Sequence, residues 1–122
     1  MSLLSNQAIE FRQAYDIQNS LSARSRQKSL IVEEFKEFLD ADQKMIMMHP
    51  KDREACLKEL ADLIYVCAQY AENMQWDIEQ ALRRVHQSNM SKLGENGKPI
   101  KREDGKVLKG PNYQPPDLSD LV

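Results

Sequence analysis

Two short runs of carboxylates carry the chemistry available to this chain of 122 residues. The first is Glu33-Glu34-x-x-Glu37 and the second is Glu59-x-x-Asp62. Residues three apart on an α-helix share one side, about one turn apart. Glu34 with Glu37, and Glu59 with Asp62, can therefore aim four acidic groups at a common point if their helices pack together. Clustered carboxylates repel one another unless a cation lies among them. Their hard oxygen donors suit Mg²⁺, with Mn²⁺ as a substitute. The spacing predicts a divalent metal centre acting on a phosphorylated substrate.

The bland alternative for Glu33, Glu34 and Glu37 is a solvated face, since exposed carboxylates are the norm. With 19 acidic residues in the chain, spacings of three also arise by chance. Glu59 argues against the bland reading. It falls in the middle of an apolar helix surface, flanked by Ala55, Leu63 and Val66, where a carboxylate is costly without a partner. A salt bridge to Lys58 or Arg53 is the plainer explanation, but Lys58 is expected to point to the other side of the helix. A di-iron carboxylate centre would need Glu-x-x-His on two helices. Neither His49 nor His86 stands three residues after one of these acids.

A second set of candidates lies further on. Asn89 and Lys92 align with Ile78, Ala81, Leu82 and Val85 on one helical stripe. They either bind phosphate oxygens or simply mark the end of burial, with Lys92 reaching out to water. Lys98, Lys101, Arg102, Lys106 and Lys109 follow, either covering an anionic ligand or forming a solvated loop. Lys109 is grouped with Asn89 and Lys92 as a candidate phosphate ligand.

The elements that must hold these groups are helical. The chain has four glycines, and most of its glycine and proline follows Lys92. Few breakers precede that point, which favours helices. Apolar periodicity predicts a first helix from about Ser5 to Ile17, a connector over 18–23, and a second helix from near Arg24 to near Met48. On the second, Ile31, Val32, Phe35, Phe38, Leu39 and Ile46 form an apolar sector opposite the acids. Pro50 ends that helix and opens the third, which runs to about Met74. The third is apolar almost all round, the pattern of a central bundle member. Asp77 and Gln80 suggest a capping box for a fourth helix, stopped near Leu93-Gly94. The expected fold is all-α, a four- to five-helix bundle. Residues 1–93 would form the bundle and residues 94–122 a basic, irregular tail of the same domain, with a small β-hairpin around Lys101 to Lys109.

Bulk properties exclude several classes. A net charge of −2 gives no field to recruit a nucleic acid polymer or an anionic membrane. No apolar run approaches the roughly 20 residues of a bilayer span, and the start of the chain has no basic region followed by an apolar core. Cys56 and Cys67 lie too far apart on one helix to bridge and read as buried apolar fillers of a cytoplasmic protein. Four helices with one apolar nearly all round predict at least a dimer.

Glu33-Glu34-x-x-Glu37 followed by Glu59-x-x-Asp62 resembles the acidic signature of the MazG-like all-α nucleoside triphosphate pyrophosphohydrolases. Asn89-Met90-Ser91-Lys92-Leu93, with the tail from Gly94 to Leu118, is similar to the branch called phosphoribosyl-ATP pyrophosphohydrolase-like. The resemblance covers about residues 24–118. It implies a helical homodimer or homotetramer that hydrolyses a nucleoside triphosphate to the monophosphate and pyrophosphate. By matching positions it implies Glu34, Glu37, Glu59 and Asp62 as Mg²⁺ ligands and Glu33 as an outer group orienting the attacking water. Asn89 and Lys92 would bind the phosphates. No serine or cysteine nucleophile is paired with a histidine, so metal-activated water is the expected nucleophile. The alternative is a catalytically silent helical module that binds nucleotides or other subunits.

Overall fold

The structure, a computed structural model, describes residues 3–122. The chain is all-α, as expected, with helices α1 (Leu3–Ala14), α2 (Arg24–Gln43), α3 (Pro50–Asn73) and α4 (Ile78–Met90). It falls into two compact units, one ending at Ile78 and the other running from Glu79 to Val122. Among the described residues, no helix is long and apolar enough to cross a membrane.

In the first unit α3 is the central element, packed against both α1 and α2. Its near-continuous apolar surface accounts for that position. Pro50 occupies its first turn, where the missing N–H of proline costs no hydrogen bond. α1 stops at Ala14 rather than Ile17, and the backbone shows why. Asp16 adopts a left-handed φ of 56°. The Ile17 N–H reaches back to the Arg12 carbonyl at 2.8 Å, and the Asp16 N–H to that of Gln13 at 3.3 Å. This is a Schellman closure, which satisfies carbonyls that the helix end leaves open. α3 ends in the same way, with Gln75 at φ 60° and Trp76 N–H bonded to the Ala71 carbonyl at 2.9 Å.

α2 is shorter than its periodicity suggested, ending at Gln43 instead of near Met48. Proline at position 50 forces His49 into an extended conformation (ψ 144°), and Met48 turns left-handed at φ 54°. The chain must therefore leave the helix several residues before the proline.

The larger correction concerns which side of α2 is covered. Val32, Phe35 and Leu39, expected to face the core, are 46%, 48% and 47% exposed. Gln27 is buried instead, and Glu34 is half-buried. On α3, Leu57, Leu60 and Ile64 are also exposed. Cys56 is buried as expected, but Cys67 is exposed and extends that outward stripe.

In the second unit the tail returns along α4. Ser88 Oγ donates to the Gln114 carbonyl at 2.7 Å, and Gln114 N–H donates to Ser91 Oγ at 2.9 Å. Arg84 grips Asp120 through both guanidinium nitrogens. Gly110 passes so close that a Cβ there would stand 2.4 Å from the Leu93 carbonyl oxygen; only glycine fits. The expected hairpin is reduced, among the described residues, to one antiparallel bridge, Lys101 with Val107. Pro99 and Pro111 lie just outside it, and prolines cannot donate to a longer ladder.

Candidate metal centre

Glu34 on α2 meets Glu59 and Asp62 on α3 across the packed seam. One carboxylate oxygen from each lies within 4.8 Å of the other two. The i,i+3 spacing of Glu59 and Asp62 puts both on the side of α3 that faces α2. Glu34 Oε2 and Glu59 Oε2 are buried and, among the described residues, have no hydrogen-bond partner. Orphaned buried acceptors of this kind are rare in folded proteins and demand an explanation.

Electrostatics sharpen the point. Burial first, then a hydrogen bond to Glu37 and the charges of Glu37, Asp62 and Glu59, push the Glu34 carboxyl up to about 7. Lys58 answers part of this charge. Its Nζ lies 2.8 Å from Asp62 Oδ2 and 3.4 Å from Glu59 Oε1, which corrects the expectation that it points away. Lys58 stands four residues before Asp62, one turn away along the same face, so its ammonium meets the acids directly. Hydrogen bonds to Asp62 and then Glu59 raise the Lys58 ammonium to about 12. One exposed ammonium does not neutralise three converging carboxylates. An all-oxygen donor set with two unpartnered buried oxygens fits a hard divalent cation such as Mg²⁺ or Mn²⁺.

The other acidic candidates lie outside that triangle. Glu37 is exposed and acts on Glu34 as its neighbour. It lines a cleft of about 260 Å³ together with Asp40, Asp52 and Glu59. Glu33 is exposed. In the second unit Lys92 and Lys109 converge on one ring, their Nζ atoms 6.0 Å and 4.8 Å from the centroid of Tyr113. The Gly110 N–H donates to the Lys92 carbonyl at 2.8 Å, which holds the two lysine backbones together. Asn89, expected to face inward, is exposed.

Sequence reasoning passed over a second polar group in the first unit. Arg12, Gln27, Gln69 and Asn73 are all buried. A signal was present. Asp62, Val66, Gln69 and Asn73 recur at spacings of four, three and four, as do Gln27, Leu30 and Glu34 at three and four. Each set is therefore one helical face, and polar residues continue along the face that carries the acids.

The family model described as phosphoribosyl-ATP pyrophosphohydrolase (PRA-PH) matches residues 4–89. That span is well over half of the chain and takes in all five acidic candidates. No curated protein matches the chain.

Proposed function

The chain belongs to the phosphoribosyl-ATP pyrophosphohydrolase family and is a hydrolase; from that premise we propose that it cleaves a nucleoside triphosphate, or a related nucleotide such as phosphoribosyl-ATP, to the monophosphate and pyrophosphate. The observation that carries this reading is the convergence of Glu34, Glu59 and Asp62 across the α2–α3 seam.

Mg²⁺ would be held by Glu34, Glu59 and Asp62, with Glu37 as the fourth ligand from the adjoining cleft. When bound, the ion would neutralise the polyphosphate and lower the pKa of a water in its shell. Without the ion, burial and the neighbouring acids raise the Glu34 carboxyl to about 7, so metal binding there would release a proton at and below neutral pH. Glu33 would orient the attacking water from outside the ligand set. Asn89, Lys92 and Lys109 would donate to phosphate oxygens, the lysines offsetting charge on the departing pyrophosphate. His49 and His86 are both exposed, and no serine or cysteine nucleophile is assigned; attack by water is direct.

The assay is pyrophosphate release from a panel of nucleoside triphosphates and phosphoribosyl-ATP, with and without Mg²⁺. Release that requires the metal is the expected result. Tight nucleotide binding without metal-dependent release would instead favour the silent binding module.

The same reading makes the active form a homodimer or homotetramer. The exposed stripes Val32–Phe35–Leu39 and Leu57–Leu60–Ile64 each follow a helical three-then-four spacing. Apolar stripes of this kind mark surfaces that bind another chain. Size-exclusion chromatography at micromolar concentration should give at least a dimer; a monomeric peak would contradict it.

A further inference from the structure

A cavity of about 530 Å³ opens on the same seam as the carboxylates. Leu30 and Val66 line it. Leu30 lies one turn before Glu34 on α2, and Val66 lies one turn after Asp62 on α3, so the cavity begins about a helical turn from the acids. Phe11 and Tyr65 form an aromatic wall, their rings edge-to-face with centroids 5.7 Å apart. The volume lies in the range of small-molecule pockets, roughly 300–1,000 Å³.

Two amide side chains line this cavity, and each is 5% exposed. Gln69 Nε2 and Gln27 Oε1 are buried with no hydrogen-bond partner among the described residues. One is a donor and the other an acceptor. The donor is set in place by its surroundings. Arg12 Nη1 donates to Gln69 Oε1 at 3.2 Å, which fixes the carbonyl end of that amide and leaves its NH₂ without a partner. Arg12, 3% exposed, is itself held by Asn19 Oδ1 at 2.6 Å and Asn73 Oδ1 at 3.0 Å. Asn73 is locked in turn by the backbone of Ser20, which donates to Asn73 Oδ1 and accepts from its Nδ2. A chain of bonds from Ser20 through Asn73 and Arg12 thus orients an amide that has nothing to bind.

We propose that this cavity is the nucleobase pocket, in which the Gln69 NH₂ donates to an acceptor on the base edge while Gln27 Oε1 accepts from the adjacent N–H. The proposal rests on the nucleotide reading given above and deepens it. Every nucleobase offers a hydrogen-bond donor beside an acceptor on one flat edge, and aromatic walls suit a flat ring. A phosphate is a poorer fit at the inner end of the cavity, because Arg12, the buried cation there, is already bonded to neutral oxygens, and the other cation of the lining, Arg26, is exposed. Gln27 and Gln69 are then the residues that determine base specificity.

The test compares wild type with Gln27→Leu, Gln69→Leu and Gln69→Glu. Binding of UMP, CMP, AMP and GMP is measured in EDTA without divalent metal, and kcat/KM for the matching triphosphates with Mg²⁺. Wild type should prefer one base. Each leucine variant should bind that base about 10- to 100-fold more weakly, because a site built for hydrogen bonds loses its discrimination when one is removed. Gln69→Glu keeps an oxygen for Arg12, so it guards against simple misfolding. It replaces the donor in the cavity by an acceptor and should shift preference at least about tenfold toward a base with an N–H at that position. Unchanged base discrimination in folded Gln27→Leu and Gln69→Glu would overturn the proposal, as would no monophosphate binding by wild type. Loss of monophosphate binding in the variants, with no hydrolysis by wild type, would sustain the pocket and sink the pyrophosphohydrolase reading. Metal-dependent hydrolysis with discrimination unaltered would do the reverse.

Discussion

Helix α3 carries two polar regions about two to three turns apart, one shared with α2 and the other with α1, built in opposite ways. At one, Glu34, Glu59 and Asp62 converge, and Lys58 reaches in from an exposed position. At the other, Arg12 is buried and bonded to neutral oxygens of Gln18, Asn19, Gln69 and Asn73. Burial pulls the Arg12 guanidinium below its ordinary pKa, with Glu72 acting on it only through space. Each region has the charge the other lacks, yet they do not pair. The acids are left with surplus negative charge and orphaned oxygens, while the arginine network is internally satisfied and leaves only neutral amide atoms unpaired. One region is therefore suited to a cation and the other to an uncharged hydrogen-bonding edge.

Three measurements would break or sharpen that contrast. The largest effect is expected at the acidic region. Glu59→Gln removes a converging charge but keeps the shape, and should lower Mg²⁺-dependent pyrophosphate release at least about 100-fold, with an unchanged oligomer in size-exclusion chromatography. Retained turnover would remove Glu59 from the catalytic centre. A smaller effect, on folding instead of rate, is expected at the other region. Arg12→Met strands the oxygens of Asn19, Gln69 and Asn73 and should cost about 2–4 kcal/mol in urea unfolding. A variant as stable as wild type would show that the network does not tie α1 to α3.

The smallest effect separates the regions by pH. The Glu34 carboxyl is raised from an ordinary value of 4.5 to about 7 in the folded chain. Between those values the folded state binds more protons than the unfolded state. Its contribution to stability is therefore full below pH 4.5 and is lost as pH rises through about 7. Metal-free protein should melt at a lower temperature at pH 8 than at pH 5. Mg²⁺, which needs the ionised carboxylate, should raise the melting temperature more at pH 8 than at pH 6. Equal increments at the two pH values would mean that Glu34 does not bind the ion. Arg12 stays charged throughout this range and contributes no such dependence.

Much of this was legible in the residues. The lack of early glycine and proline gave four helices, and the near-continuous apolar surface of α3 gave its central place. The two acidic runs gave the candidate ligands. The corrections to which residues face the core share one cause. A helical wheel places residues around their own axis but does not say which side meets a neighbour. Val32, Phe35 and Leu39 form an apolar stripe whose pattern predicts an inward face, and they face outward. Glu34, on the wheel's side opposite that stripe, faces α3. Lys58 meets the acids because it stands one turn before Asp62 on the same helix face.

What the amino-acid order determined alone was local: helix, breaker, and the spacing that puts Glu59 beside Asp62 and Gln69 beside Asn73. Tertiary packing decided which of the acids converge and which amides are buried without partners. The reason is one of range. Hydrogen bonds and dihedral preferences act over four or five residues, whereas the meeting of Glu34 with Glu59, or of Arg12 with Gln69, is fixed by which helix faces exclude water together.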